Sequence, residues 1–585
     1  MRLGSPELAL LVLALPFASF LAIGLIRPLR RSGRPAAAIS IVAMAGALLG
    51  AAAMSWQGIP VARALNPSVL WSWLPADGGP MASVGVWVDG MAMQMCVLVT
   101  LISLLVQVYS WSYLADEPPP SLGRYYAYQS LFAFSMLGLV LSPGFLQMFV
   151  FWELVGLCSY LLIGYWYERP EAARAAVKAF WITKLGDLGF VAGIVMLWSA
   201  TGTFDFWPLF QAAESGGLHV DGLTTIMFLI YLGAVGKSAQ FPLHIWLPDA
   251  MEYPLFALVP SLLVLIAWVG AFTALLAATM ACVERDIKRV LAYSTISQLG
   301  YMMAANGAGA PEAAFQHLTT HGVFKALLFL GAGIVIHHFH TNDVFRMGGL
   351  FVQRPWVGIS FLVGTLALAG VLPPGFFSKE AILGGVLHGH LTGPFVLLIV
   401  TSFLTAFYMF RAVFLAFFGH AHVHHEHPEP PLAMDAVCRA LAALTLAQGI
   451  WAVVAGHHAE GPAWLPWASL ALAFGGIALA WATYQAGVLD PARLSAAFAP
   501  IDFLARRRYF LDAIFAGAYR FALLSFSRVV GWVDRYVVDG VLNALSAGAL
   551  RAGDALRRLQ TGQPQDYVYG VALGVLLLLV WAQVR

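Results

Sequence analysis

Long apolar stretches alternate with short polar ones from end to end of this chain. Each apolar run is about as long as a helix needs to cross a hydrocarbon core of ~30 Å. The pattern predicts spans at 7–27, 36–56, 83–114, 123–142, 144–167, 177–201, 224–251, 254–283, 287–307, 311–338, 355–388, 391–418, 434–455, 463–487 and 566–583. The segment 490–563 reads differently. Its apolar residues recur at helical spacing between Arg and Asp, which predicts an amphipathic helix lying along a membrane surface. The fold class expected is an all-α polytopic membrane protein.

Composition agrees with the pattern. Of 585 residues, 60% are hydrophobic and 11% charged, where a soluble protein carries roughly 25% charged. With no long polar segment, aqueous domains are nearly excluded. The net charge of +2 says little about partners. Cys96, Cys158, Cys282 and Cys438 are scattered with no C-x-x-C pair, which argues against an iron–sulfur cluster, a structural zinc or a disulfide framework. The first run, "ELALLVLALPFASFLAIGLI", lacks a basic stretch before it and a small-residue cleavage site after it, and reads as a retained span.

Basic loops set the orientation. Arg27, Arg30, Arg31 and Arg34 place the first loop inside and the N-terminus outside. Alternation then puts Arg169, Arg174 and Lys178 inside, and the Lys- and Arg-free segment 201–222 outside. Beyond 252 the scheme fails. "ERDIKR" and the segment holding Arg506, Arg507 and Arg508 emerge on the wrong side. One further span between Glu252 and Tyr253 repairs every later loop.

Charged groups inside spans cost at least ~2.5–3.5 kcal/mol on insertion scales and mark ion pathways or substrate sites. Here they are Glu153 in "FVFWELVGLCSY", Lys184 and Asp187 in "FWITKLGDLGF", Lys237, then His317, His321 and Lys325 in "FQHLTTHGVFKALLFLGAG", and Lys379 in "LPPGFFSKEAIL". His317, His321 and Lys325 stand at i, i+4, i+8 and share one helix face; Lys184 and Asp187, at i, i+3, can pair. Such a stripe suits stepwise proton transfer, and a lysine whose proton affinity a nearby carboxylate tunes suits a switch. Moving Glu153 relative to a lysine would load or release a proton. The plainer alternatives are that Lys184 snorkels to the interface and that His317 is a satisfied bundle histidine.

Lys237 and Lys379 each lie beside prolines that interrupt a helix, in "GKSAQFPLHIWLP" and "LPPGFFSKEAIL". Broken helices at membrane depth are tolerated where they line a polar cavity, and two such breaks in different halves of a chain are the trace of an inverted repeat. The histidines His420, His422, His424, His425 and His427 have no fixed ligand spacing, and a solvated loop explains them better than a metal site.

Taken together, "FWELVGLCSYLLIGYWY", "KAFWITKLGDLGF", "GAVGKSAQFPLHIWLPDAM", "DIKRVLAYSTISQLGYM", "THGVFKALLFLGAG" and "GFFSKEAIL" resemble the antiporter-like subunits of respiratory complex I, the proton-translocating NADH–quinone oxidoreductase, and most closely their chain L branch. Sodium/proton antiporter complexes and membrane-bound hydrogenases share this core; the amphipathic tail argues for complex I. The resemblance implies an antiporter-like fold of two inverted repeats with broken helices, a long lateral helix and a final transmembrane anchor. It divides the chain into N-terminal helices (1–122), a first half-core (123–252), a second half-core (253–420), additional helices (421–489), the lateral helix (490–563) and the anchor (564–585). It makes Glu153 the key glutamate, Lys237 the lysine of the first broken helix and Lys184 with Asp187 the pair that modulates them. His317, His321 and Lys325 become the central axis, and Lys379 the lysine of the second half-channel.

Proton translocation coupled to quinone reduction elsewhere in the complex is the activity implied, with no cofactor in this chain. Adjacent antiporter-like chains M and N, chains K and J along the lateral helix, and lipids are the implied partners, with no nucleic acid. The implied location is the bacterial inner membrane. The sequence departs from the pattern where "DAME" runs directly into "YPLF", without the Gly-Pro-Thr-Pro turn and histidine-bearing span that family members carry there, and where "LPPGFFSK" is compact. The downstream basic loops favour a stretch left out of the sequence over a natural deletion. A subunit with inactive half-channels, serving assembly alone, is the remaining alternative.

Overall fold

The computed structural model describes residues 5–57, 68–76, 79–218, 220–243, 259–419, 431–455, 461–558 and 560–584. The junction at 252–253, Pro248 and the histidines at 420–427 lie outside the described residues.

The first helices are α1 (Ser5–Leu25), the short α2 (Arg27–Arg31) and α3 (Gly33–Trp56). A two-stranded antiparallel hairpin follows, Ser68–Ala76 with Gly79–Val86, Ser68 opposite Val86. It is an addition to the all-helical expectation. The apolar run expected as a helix from 83 therefore starts as strand, and α4 (Gly90–Tyr113) begins only after Asp89, whose carboxylate caps it by accepting from Ala92 N at 2.6 Å. An apolar run reads alike as buried strand or helix until such a cap is located. Helix α5 (Pro119–Val140) completes this bundle.

The next group comprises α6 (Phe145–Ile163), α7 (Pro170–Thr201), the short α8 (Phe206–Glu214) and α9 (Leu223–Lys237). As the prolines predict, α9 stops early. Lys237 is its last residue, Ala239 takes φ 50°, and the Phe241 N–H leaves the helix to bond Thr273 Oγ1 at 2.9 Å.

Thr273 belongs to α10 (Pro260–Val283), which packs on α11 (Ile287–Gly307) through small residues. A Cβ at Gly300 would stand 2.5 Å from Gly270 O and 2.7 Å from Ala274 N, so backbone meets backbone. Helix α12 (Pro311–Phe339) runs through the largest cluster of buried side chains, which reaches from Tyr109 on α4 to Leu441 on α17. After α13 (Leu350–Gln353), the expected 355–388 span is two half-helices, α14 (Pro355–Ala369) and α15 (Gly375–His388), parted by Gly370 at φ 78° and by Pro373 and Pro374. Helix α16 (Thr392–Val413) continues into a π-helical turn, Phe414–Phe418; its buried Arg411 donates to Glu284 O at 2.8 Å, tying the end of α10. Helices α17 (Leu432–Val454) and α18 (Leu465–Tyr484) close the bundle.

The chain divides into two compact units, Met1–Arg507 and Arg508–Arg585. The expected amphipathic segment is shared between them: α19 (Pro491–Ala497) and α20 (Ala499–Arg506) belong to the first, with α20 against α10. In the second unit Arg508, Tyr509 and Phe510 all have positive φ, and a helix then runs unbroken over 511–558, about 72 Å at 1.5 Å per residue. It contains two π-helical turns, Tyr519–Leu523 and Val533–Val538, which reset the phase of its apolar stripe. None of residues 519–558 is buried. The last helix, Pro564–Val584, is long and apolar enough to cross a membrane. Twelve helices among the described residues meet that criterion by length and composition, one of them the amphipathic stretch Arg508–Arg558.

Candidate functional site

Four charged side chains from α6, α7 and α9 form a row of alternating sign. Glu153 pairs with Lys184; Lys184 Nζ lies 3.6 Å from Asp187 Oδ2, and Asp187 Oδ2 lies 3.8 Å from Lys237 Nζ. The row runs from partly exposed to buried: Glu153 and Lys184 side chains are 29% and 22% exposed, Asp187 and Lys237 2% and 4%. Trp152 Nε1 donates to Asp187 Oδ1 at 2.6 Å and fixes that carboxylate, while the Lys237 ammonium lies 5.8 Å from the Trp152 ring centroid. Lys237 sits in the last turn of α9, where unpaired carbonyls favour a cation. Room for its ammonium is made by Gly156: a Cβ there would stand 2.5 Å from Nζ.

The second group surrounds α12. His317, His321 and Lys325 share one buried face, as the spacing predicts. His317 is held at both nitrogens, Nδ1 by Ser378 Oγ at 2.8 Å and Nε2 by Gln298 Oε1 at 3.1 Å. Gln298 Oε1 can only accept, so Nε2 is the ring nitrogen that donates to it. His321 Nε2 is buried without a hydrogen-bond partner among the described residues. Lys325 Nζ donates to Ser294 Oγ. Lys379 Nζ donates to Leu368 O at 2.7 Å and lies 5.5 Å from the Tyr301 ring centroid. Among the described residues no ion pair joins Lys325 or Lys379 to a carboxylate.

The two groups are therefore built on different chemistry. The first alternates acid and base; the second holds its cations with a hydroxyl, a carbonyl and aromatic faces. They share one feature. Leu368 lies at the carbonyl end of α14, so Lys379, like Lys237, is set against the negative pole of the first half of a broken helix.

Every charged or histidine residue singled out inside a span falls into one of these groups. One pairing differs: Glu153 engages Lys184, and Lys237 faces Asp187, so Glu153 and Lys237 are not direct partners. The carboxylate one turn along α7 stands between them. The sequence reading passed over Trp152, Ser294, Gln298, Tyr301 and Ser378, together with Glu380, whose buried carboxylate oxygens have no hydrogen-bond partner among the described residues. Ser294, Gln298 and Tyr301 stand at i, i+4, i+7 in "DIKRVLAYSTISQLGYM", the spacing that marks the α12 stripe, and the same rule applied to uncharged polar residues finds them. Among the described residues no group of three or more His, Cys, Asp or Glu side chains is placed to hold a metal ion.

Comparison with known proteins gives two family matches. The family described as "NADH:quinone oxidoreductase/Mrp antiporter, TM" matches residues 142–263 and 253–405, two stretches whose ends overlap at 253–263. The family described as "NADH-Ubiquinone oxidoreductase (complex I), chain 5 N-terminus" matches residues 73–126. The chain is 36% identical to NAD(P)H-quinone oxidoreductase chain 5 of Picosynechococcus sp., over 89% of this chain and 90% of that one. It is 35% identical to the protein of that name in Synechocystis sp., over 98% and 99%, and 36% identical to the chloroplastic subunit 5 of Nephroselmis olivacea, over 92% of each.

Proposed function

The chain belongs to the family of NAD(P)H-quinone oxidoreductase chain 5, the antiporter-like membrane subunits of complex I, and from that premise we propose that it moves protons across the membrane, driven by quinone reduction elsewhere in the complex. The observation that carries the reading is the row Glu153–Lys184–Asp187–Lys237. In such a row each charge is stabilised by its neighbours, so a shift of one member changes the proton affinity of the next. If Glu153 draws Lys184 away, the Asp187 carboxylate is left to Lys237 alone and Lys237 holds its proton; if Lys184 returns to Asp187, Lys237 gives its proton up. The proton then passes along His317, His321 and Lys325 and leaves by Lys379.

The shared placement of Lys237 and Lys379 at half-helix carbonyl ends supports an inverted repeat, with Lys237 before its break and Lys379 after it. The helix over 511–558, unburied from 519 onward, supports a lateral element that covers its apolar stripe on neighbouring antiporter-like chains, M and N with K and J, before the Pro564–Val584 anchor. The two overlapping matches at 253–263 support a span lost at the 252–253 junction. The location proposed is a bacterial inner membrane, N-terminus outside.

Lys237→Ala and Glu153→Ala in the assembled complex test the relay. Each sharply lowers proton pumping and coupled NADH oxidation; near-normal pumping in both overturns it. Deletion of 500–585 disrupts assembly of the distal membrane arm, and a stable, fully assembled truncation refutes the lateral reading. A cation/proton antiporter subunit would instead rescue growth in high sodium without co-purifying flavin and iron–sulfur subunits.

A further inference from the structure

The proton-relay reading uses the lysines and histidines of α12 and α15 and leaves unused a face of buried hydroxyls beside them. We propose that the hydroxyls at the α11–α16 interface, with Tyr408 at their centre, form the proton path that joins Lys325 to Lys379. The proposal rests on that relay reading and adds residues to it.

Helix α11 presents Ser294, Ser297 and Tyr301, at i, i+3, i+7; α16 presents Ser402, Thr405 and Tyr408. All six are fully buried or within 1% of it. The ladder starts on one lysine, since Lys325 Nζ donates to Ser294 Oγ. Tyr408 Oη faces Ser294, Ser297 and Thr405. At the far end Tyr301 Oη donates to Leu398 O at 2.5 Å with Ser402 beside it, and the Tyr301 ring carries the Lys379 ammonium 5.5 Å from its centroid. The six side chains thus reach from the cation of the central axis to the ring that faces the cation of the second broken helix.

Helix packing explains only part of this arrangement. Ser294 donates to Leu291 O at 2.8 Å and Thr405 to Thr401 O at 2.8 Å, bonds such residues make in any membrane helix. Tyr408 Oη and Ser297 Oγ have no such bond: both are buried without a direct hydrogen-bond partner among the described residues. Phenylalanine and alanine would fill those positions and leave no polar atom to satisfy, so a structural role gives no reason for either hydroxyl.

Transfer along the ladder keeps atoms and charge balanced. Lys325 gives a proton to Ser294 Oγ, while the Ser294 hydroxyl turns from Leu291 O and passes its own proton to Tyr408 Oη. The phenol passes its proton to Ser297 or Thr405, and Ser402 and Tyr301 repeat the exchange up to neutral Lys379. Each oxygen accepts one proton and releases one, so only the two lysines change charge. Rotation of a hydroxyl or a bridging water carries a hop wherever two oxygens stand beyond bonding reach.

The test uses the whole complex in proteoliposomes, with NADH-driven acidification measured in H2O and D2O. Tyr408→Phe lowers the initial pumping rate about tenfold and changes the solvent isotope ratio. The double variant Ser297→Ala/Thr405→Val, which leaves the Tyr408 ring packing alone, shows the same loss even if the phenylalanine variant fails to assemble. Lys325→Ala is the control for the relay itself. If it abolishes pumping while the double variant pumps at the native rate with the native isotope ratio, the ladder is wrong and the relay stands. If Lys325→Ala also pumps normally, the relay reading falls, and the ladder with it.

Discussion

Gly156→Ala isolates the electrostatics of the first cluster from its folding. Among the described residues, and apart from the helix's own backbone, the atoms within 4 Å of a Cβ at that position are Lys237 Nζ, at 2.5 Å, and Lys237 Cε, at 3.9 Å. An ordinary contact needs about 3.5 Å, so the ammonium must move by roughly 1 Å while the backbone stays in place. Taken along its pair with Asp187, now 3.8 Å, the displacement gives about 4.8 Å. At an effective dielectric constant of about 20, the attraction falls from about 4.4 to about 3.5 kcal/mol, or about fivefold in the balance between charged and neutral lysine. Helix propensity works the other way, because alanine in a helix interior is worth roughly 0.5–1 kcal/mol over glycine. The variant should therefore assemble and melt at or above the native temperature while pumping several-fold more slowly. Acidification per NADH oxidised in proteoliposomes, with a thermal melt of the same sample, measures both. Native pumping in a fully assembled Gly156→Ala complex would refute the claim that the position of the Lys237 ammonium matters.

Three further outcomes follow from the same structure. Asp187→Asn keeps an acceptor for Trp152 Nε1 but leaves Lys237 buried without its carboxylate, a loss of about 3–5 kcal/mol for a broken buried pair; pumping should vanish and the thermal midpoint fall. Gly300→Ala drives a methyl into the α10 backbone and should destabilise the arm by about 1–3 kcal/mol, read as a lower melting temperature. Asp205→Ala removes the acceptor of two bonds from Ser83, N–H at 3.0 Å and O–H at 2.6 Å, and frees the hairpin at a cost of about 1–3 kcal/mol. Burial pushes the Asp205 carboxyl above the usual carboxylate range and the Ser83 bonds pull it back. This raised group binds its proton more tightly when folded, so its contribution is full at low pH and fades as pH rises through the folded value. Melting curves between pH 3 and 7 should show that slope in the native chain and lose it in Asp205→Asn.

The helices were legible because a membrane leaves the backbone little else to form, and both breaks were legible because proline removes a donor. Stripe positions on α12 followed from the helical repeat alone. Pairing was harder to read. Nothing in the spacing of Glu153 and Lys237 says that Lys184 and Asp187 fill the gap between them, since that depends on how α6, α7 and α9 pack at Gly156 and Gly186. The hairpin escaped because its second strand is apolar enough to read as the start of a span. The uncharged members of the second cluster, Ser294, Gln298 and Ser378, escaped because serine and glutamine inside a membrane helix are common enough to draw no notice until a lysine or histidine is found against them.

The contact of α10 with α11 bears on leakage. Where Gly270 and Gly300 bring two backbones together, no file of water can pass between the helices. In the chain of contacts α9–α10–α11–α12, that pair stands between the first charge cluster and the second. At that level the seam itself passes field and not protons, as a dielectric spacer does, so the proton handed from the first cluster to the second goes around it. A charge gained on one side is felt on the other through a medium of low permittivity, while the sealed contact itself offers the ion gradient no leak.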